Sequence, residues 1–258
     1  MPDAETLARM YGPAYADSRA ADASVEDPSA PEEVLVRLRT LPPGLFVDFG
    51  CGAGSLLASA RDLGWTATGV EFDPEVVRKA SVRSRCPVLT GLDELRASAA
   101  VPADVIHLGD VLEHLTAPLD VLRTLVELLR PTGRLMAQGP LEAGPCLFST
   151  VVRAARRLRV APLVEMPPYH VLQATVAGQR RLFERAGLDA IEYRVSEVAW
   201  PAPGRLTRSV LRRPRSLELF LLRKMSQTAT ALAPARWGNR YFYVGAPRGR
   251  DGQDLLAG

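Results

Sequence analysis

Between Leu45 and Pro140 the chain alternates short apolar runs with segments of helical period, and few folds accommodate that order. "LFVDF", "TATGVEF", "PVLTG", "ADVIHLG" and "GRLMAQGP" read as strands. Between them "SLLASARDLG", "DPEVVRKASVRS" and "APLDVLRTLVELLRPTG" carry apolar residues at helical spacing, the last ended by Pro131 and Gly133. Such alternation with short loops predicts an α/β fold, a doubly wound parallel sheet with helices on both faces. Ligands of such sheets bind beyond the carboxyl ends of the strands.

The flanks are looser. Residues 1–30 are small, acidic and proline-rich and read as a short helix and an arm, and "PEEVLVRLRTL" then opens the packed chain as a helix. After residue 140 the expected order is a basic helix "LFSTVVRAARRLRVA", a loop "VEMPPYHVLQ", a helix "TVAGQRRLFERAGL" and a strand "DAIEYRVSEV". A basic amphipathic stretch, "SLELFLLRKMSQTATALA", and a last strand, "NRYFYVGAP", follow. The 258 residues suit a single domain: an arm (1–30), a cofactor-binding half (31–139), and a substrate-side half (140–258) with inserts at 140–175 and 197–237.

Composition narrows the setting. No run reaches the roughly eighteen apolar residues of a membrane span, and "MPDAETLARMYG" lacks a secretory signal, so a cytoplasmic protein is expected. Cys51, Cys86 and Cys146 are odd in number and widely spaced, which indicates neither a disulfide framework nor a zinc site. The net charge of +3 is uneven, acidic at the start and arginine-rich in the last third, as in "RAARRLR" and "RSVLRRPR". A solvated basic helix face accounts for this more simply than a nucleic-acid surface.

The glycine loop "FVDFGCGAG" sets the cofactor. A dinucleotide fold wants GxGxxG, but Gly50, Gly52 and Gly54 alternate here, Ser55 takes the third glycine's place, and Asp48 precedes them on the strand. Asp48 would repel a pyrophosphate by about 4 kcal/mol per charge pair at ~4 Å. No GxxxxGK[ST] occurs either. S-adenosylmethionine, cationic and without phosphate, meets these constraints. Glu71, at the end of the next strand, stands where ribose hydroxyls are bound, and Phe72 reads either as a cover for one face of the adenine or as a core residue at the strand end. Asp93 reads either as an acceptor for the adenine amino group or as a helix N-terminal acid.

These stretches resemble the class I S-adenosylmethionine-dependent methyltransferases. "VDFGCGAGSLL", "ATGVEFDPE", "DVIHLGDVLEHLTAPLDVLRTLVELLRPTGRL" and "PPYHVLQATVAGQRRLFERAGL" carry the likeness in order, and "LEHL" and "PPYH" are similar to the ubiquinone-type and small-molecule O-methyltransferases. The resemblance implies a Rossmann-like sheet of seven strands whose last, "NRYFYVGAP", runs antiparallel. It also implies backbone at Gly109 beside the methionine part of the cofactor and a loop in which Cys51 takes part. Leu92 departs from the family, which often has an acid there, so the adenine contact falls to Asp93 or to backbone.

Methyl transfer to a hydroxyl needs a base, since a phenol has a pKa near 10. His114, at the end of the fourth strand, is the expected base, while His107 inside that strand is expected to be structural. Asp110, Glu113 and His114 form D-x-x-E-H, expected to share one helix face. Ubiquinone-type relatives carry a carboxylate-x-x-Glu-His set that can hold a divalent cation. The same cluster reads as capping and hydrogen bonding, and no metal ligand is assigned from sequence. Tyr169 and His170 are candidate substrate contacts or loop anchors, and Tyr11 and Tyr15 resemble lid tyrosines that close over the cofactor or read as a pair of packing aromatics on one helix face. The expected partner is a small molecule in natural-product biosynthesis, with no membrane and no nucleic acid; a homodimer is left open. N- or C-methylation, or an RNA or protein substrate, are the alternatives.

Overall fold

The structure, a computed structural model, describes residues 29–144, 146, 150, 154, 170–197 and 205–249. The N-terminal arm with Tyr11 and Tyr15, most of the helix expected around 147–161, and Tyr169 lie outside the described residues. Seven strands form one sheet: β1 (Leu45–Phe49), β2 (Thr66–Val70), β3 (Val88–Leu89), β4 (Ala103–Gly109), β5 (Leu129–Pro140), β6 (Leu188–Ser196) and β7 (Arg240–Pro247). Their order is β3-β2-β1-β4-β5-β7-β6, with the first five parallel. β7 runs antiparallel to both β5 and β6, as the resemblance implied. The chain therefore turns back from β1 to β3 before crossing to β4, and the crevice between β1 and β4 is the switch point where ligands collect.

Helices α1 (Ser29–Leu38), α2 (Ser55–Asp62), α3 (Pro74–Ser84), α4 (Leu92–Ala97), α5 (Pro118–Glu127) and α6 (Val176–Arg185) flank the sheet. Alternation along each strand gives it two cores. Phe46, Val105, Met136 and Phe242 pack with Val34 and Leu38 of α1 and Leu57 of α2. Val47, Ile106, Leu135 and Tyr243 pack on the other side with Leu122 and Leu125 of α5 and Phe183 of α6. Burying each such side chain contributes about 1.5–3 kcal/mol. Phe183 stacks on Tyr243 at 3.9 Å and 5° between planes, fixing α6 against β7.

One sequence boundary moves. "LLRPTG" was expected to finish a helix, but α5 ends at Glu127 and Leu129 already pairs with Ala103 at the start of β5. Proline at 131 denies the helix its continuation, and extended backbone suits the residue before it. The ladder then slips between Ala103 and Val105 before regular pairing resumes at Arg134.

The C-terminal insert holds α7 (Arg208–Leu211), α8 (Pro214–Leu232) and α9 (Pro234–Trp237). α8 is the amphipathic stretch expected from sequence; Leu219 and Leu222 pack on Cys146, and Thr230 Oγ1 donates to Glu197 at 3.2 Å. No helix among the described residues is long and apolar enough to cross a membrane.

Candidate active site

The glycine loop links β1 to α2 and is tied to the end of β2. Gly50 and Cys51 both donate their backbone N–H to Val70 O, at 2.8 and 3.0 Å. Gly50 lies at φ 81°, and a Cβ there would stand 2.4 Å from Val111 Cγ2, so only glycine fits. Gly52 is also left-handed at φ 50°, yet a Cβ there would meet nothing within 4 Å. The loop thus presents open backbone at Gly52 with no side chain in the way. Glu71 receives that amide, Gly52 N to Oε2 at 3.0 Å, and its other oxygen accepts from Phe72 N at 2.8 Å. Phe72 is 53% exposed and meets Phe49 edge to face at 5.6 Å. Cys51 stays a thiol: burial, then Asp48 and Glu71, push its pKa well up.

Asp48 is buried, and its Oδ1 lies 2.7 Å from His107 Nδ1, its register partner on β4. The structural reading of His107 holds, and the ring has a defined task, which is to hold the Asp48 carboxylate. Gly109 completes the fit, since a Cβ there would lie 2.8 Å from His107 Cε1. With Gln138 the pair forms a buried polar row across β1, β4 and β5. Leu92 packs partly buried against the core, whereas the Asp93 side chain is fully exposed, 3.8 Å from Arg96. Asp93 lies in the first turn of α4, as its helix N-terminal reading expects.

The candidate acceptor side differs from the sequence pattern. Asp110 takes a left-handed backbone at φ 53°, and residues Leu112–His114 form a 3-10 turn rather than an α-helix. Asp110, Glu113 and His114 consequently do not share one helix face. Asp110 turns instead to Arg240 at the start of β7, whose guanidinium grips both carboxylate oxygens at 2.8 and 2.6 Å. Glu113 is buried; desolvation, then Asp110, push its pKa up to about 8 against the pull of its own backbone, His170 and Arg240. Tyr241 is fully buried, and burial followed by Glu113 and Asp110 keeps its phenol protonated. Gly139 makes room for both: a Cβ there would lie 3.2 Å from the Tyr241 hydroxyl and 3.4 Å from Glu113 Oε2. Beneath Glu113 a cavity of about 10 Å³, the room of one water, is lined by Gln179 and Tyr241.

His170 enters from the loop ahead of α6. Val171 N and Leu172 N both donate to Glu113 O, at 2.9 and 3.0 Å, clamping that loop to the 3-10 turn. The His170 ring stands 5.0 Å from that of His114, edge to face, and its Nδ1 lies 2.8 Å from Glu142 Oε1. Burial alone would lower the His170 pKa, but Glu142, Glu113 and Asp110 together raise it. One ligand atom from each of Glu113, His114 and His170 lies within 4.8 Å of the others, and Asp110 is outside this group.

A family model described as "Methyltransferase domain" matches residues 27–193, well over half of the chain. The chain belongs to the class I S-adenosylmethionine-dependent methyltransferases. Ubiquinone biosynthesis O-methyltransferases of Schizosaccharomyces pombe and Xanthomonas axonopodis pv. citri are each 32% identical to it, over 124 and 127 residues. Those segments are 45% and 46% of this chain and 45% and 53% of the relatives, so the match spans about half their length. Among solved structures, 1,6-didemethyltoxoflavin-N1-methyltransferase of Burkholderia thailandensis, with bound 1,6-didemethyltoxoflavin and S-adenosylhomocysteine, aligns with TM-score 0.60 and 14% identity. It covers 96% of this chain and 92% of its own. Magnesium protoporphyrin IX methyltransferase of Synechocystis PCC 6803, with bound SAH, aligns with TM-score 0.54 and 17% identity, covering 93% and 92%. At these identities the likeness is one of fold.

The cofactor of this methyltransferase is S-adenosylmethionine. Its sequence-expected contacts at Asp48, Gly50, Cys51, Gly52, Gly54, Glu71, Phe72 and Gly109 cluster at the carboxyl ends of β1, β2 and β4. Arg240, Glu142 and Tyr241 were not foreseen. Arginine and tyrosine in "NRYFYVGAP" look like ordinary strand residues, and only an antiparallel β7 brings its first residue to the carboxyl end of β4 and β5.

Proposed function

We propose that this methyltransferase transfers the methyl group of S-adenosylmethionine to a hydroxyl of a small molecule. The observation that carries the reading is the convergence of Glu113, His114 and His170 just beyond Gly109, where the methyl group would be presented. The glycine loop and Glu71 would hold the nucleoside of the cofactor. The acceptor oxygen attacks the methyl carbon in line, a C–O bond forms as the C–S bond breaks, and neutral S-adenosylhomocysteine leaves. The hydroxyl's proton passes to the cluster, with His114 as the accepting group. Glu113 shapes the floor, while Asp110 is a positioning residue that fixes the turn through Arg240.

Natural-product tailoring is the setting we assign, on the arginine- and alanine-rich composition. Tyr169, and Tyr15 over the cofactor, are assigned by resemblance. A panel of phenols and catechols, with S-adenosylhomocysteine release as readout, tests the reading. The wild type should methylate at least one hydroxyl acceptor, and His114→Ala should lower kcat by about 10²–10⁴ without loss of S-adenosylhomocysteine binding. Turnover confined to nitrogen or carbon acceptors, or an unchanged kcat in the variant, overturns it.

A further inference from the structure

The C-terminal insert serves neither the glycine loop nor the candidate acceptor groups, and its long helix is built inside out. Over the second half of α8 the buried residues are Ser226 and Thr230, which face Cys146 and Glu197; Thr230 Oγ1 donates to Glu197 at 3.2 Å. Leu221, Met225 and Leu232 are turned to solvent instead, 52%, 63% and 83% exposed. A helix that only had to cover a core would show the opposite pattern. Of the nine large apolar side chains exposed among the described residues, five lie between Leu206 and Leu232, so this surface is concentrated in the insert rather than scattered.

The exposed stripe has a definite spacing. Glu218, Leu221, Met225, Thr228 and Leu232 are all exposed and follow one another at alternating intervals of three and four, the seam that one helix offers to another. Arg215 and Lys224 stand at the flanking positions of that seam, where paired helices place their charges. Between Arg205 and Trp237 there are eight arginines and lysines against one acid, Glu218. Arg212, Arg213, Arg215 and Lys224 have no carboxylate within 4 Å among the described residues. We infer that the outer face of α8 is a docking surface for an acidic amphipathic helix of another protein. The partner's apolar residues lie on Leu221, Met225 and Leu232, and its carboxylates meet Arg215 and Lys224.

Charge and shape select this occupant over the others. A second copy of the chain would set Arg215 and Lys224 against cations of their own kind. A helix lying on an anionic bilayer buries a broad apolar face, whereas Glu218 and Thr228 interrupt this narrow stripe. Nucleic acid would engage the arginines and leave Leu221, Met225 and Leu232 in water. The place of the insert suits a protein partner as well. α8 and α9 pack on β6, and Asn239, between α9 and β7, donates its N–H to Ser196 O at 3.0 Å. The insert runs from there directly into Arg240, so a docked helix would stand at the end of the sheet that carries the candidate acceptor groups.

The full chain is titrated against a fluorescent synthetic helix of about four heptads, with Leu at the seam and Glu at the flanking positions, and binding is read by anisotropy. The same peptide with Lys for Glu, vesicles of phosphatidylcholine and phosphatidylglycerol, and a DNA duplex are the comparisons. We expect saturable one-to-one binding of the acidic peptide, at least ~10-fold tighter than that of its lysine counterpart. Leu221→Glu and Met225→Glu should each weaken it at least ~10-fold, and Arg215→Glu combined with Lys224→Glu by about 5–30-fold. Val82→Glu, at an apolar side chain 77% exposed on α3, should stay within about twofold of wild type. Circular dichroism and S-adenosylhomocysteine binding verify that each variant is folded. No saturable binding of the acidic peptide, equal affinity for the lysine peptide, or binding that survives Met225→Glu overturns the docking face. Tighter attachment to the vesicles or the duplex than to the peptide, or self-association of the chain abolished by Met225→Glu, overturns the acidic helix as its occupant.

Discussion

The two halves of the crevice are built by different rules. On the β1–β2 side, Gly50, Gly52, Glu71 and Phe72 come from two short stretches, and their hydrogen bonds run between neighbouring strand ends. On the β4–β7 side the groups come from four places in the chain: the 110–114 turn, Glu142, His170 and Arg240. The first half is local and fixed by backbone. The second is held together by side-chain charge across 130 residues of sequence. A cofactor common to many enzymes suits a site written in contiguous motifs, and an acceptor that varies suits one assembled from separable parts.

Variants can break this contrast, beginning where the largest effect is expected. His107→Leu strips the buried Asp48 of its partner and should cost about 3–5 kcal/mol in a denaturant titration. The double variant with Asp48→Asn should recover part of that loss, and full additivity of the two changes would mean that the pair is not coupled. Glu71→Ala removes the acceptor of two backbone amides at the loop and should weaken S-adenosylhomocysteine binding by roughly 1.5–3 kcal/mol, read by calorimetry. An unchanged affinity would show that the β1–β2 side does not depend on its acid.

Arg240→Met tests the other half. It should lower stability by about 1–3 kcal/mol while leaving S-adenosylhomocysteine affinity within twofold, because it frees Asp110 without touching the glycine loop. A parallel loss of cofactor binding would deny that the two halves are separable. Asp93→Ala sharpens the boundary of the first half. Its exposed side chain predicts a change below about 0.5 kcal/mol in stability and no loss of cofactor affinity, and a large loss would return Asp93 to the adenine.

The same contrast explains how far the sequence could be read. Strand-helix alternation, the glycine loop and the acid at the end of β2 are each local, so spacing alone located them. The candidate acceptor site resisted because its decisive feature is one residue's backbone. Asp110 at φ 53° breaks the helical continuity that the D-x-x-E-H spacing suggested, and no periodicity announces a left-handed aspartate. Arg240 was hidden for another reason. It sits in a strand whose pattern speaks only of burial, and its role follows from the strand's direction and its position between β5 and β6. "LLRPTG" failed through competition between a strong helical period and the proline within it, and tertiary pairing with β4 decided the outcome.

The antiparallel insertion of β7 has a consequence for synthesis. A chain emerging from the ribosome has delivered the glycine loop, Glu71 and β4 by residue 109, and those strands can pair at once. Asp110 then waits for its counter-ion until Arg240 appears, and β6, made earlier, has no place in the sheet until β7 slides between it and β5. The Asp110–Arg240 pair and the place of β6 in the sheet are therefore completed only once β7 has been made.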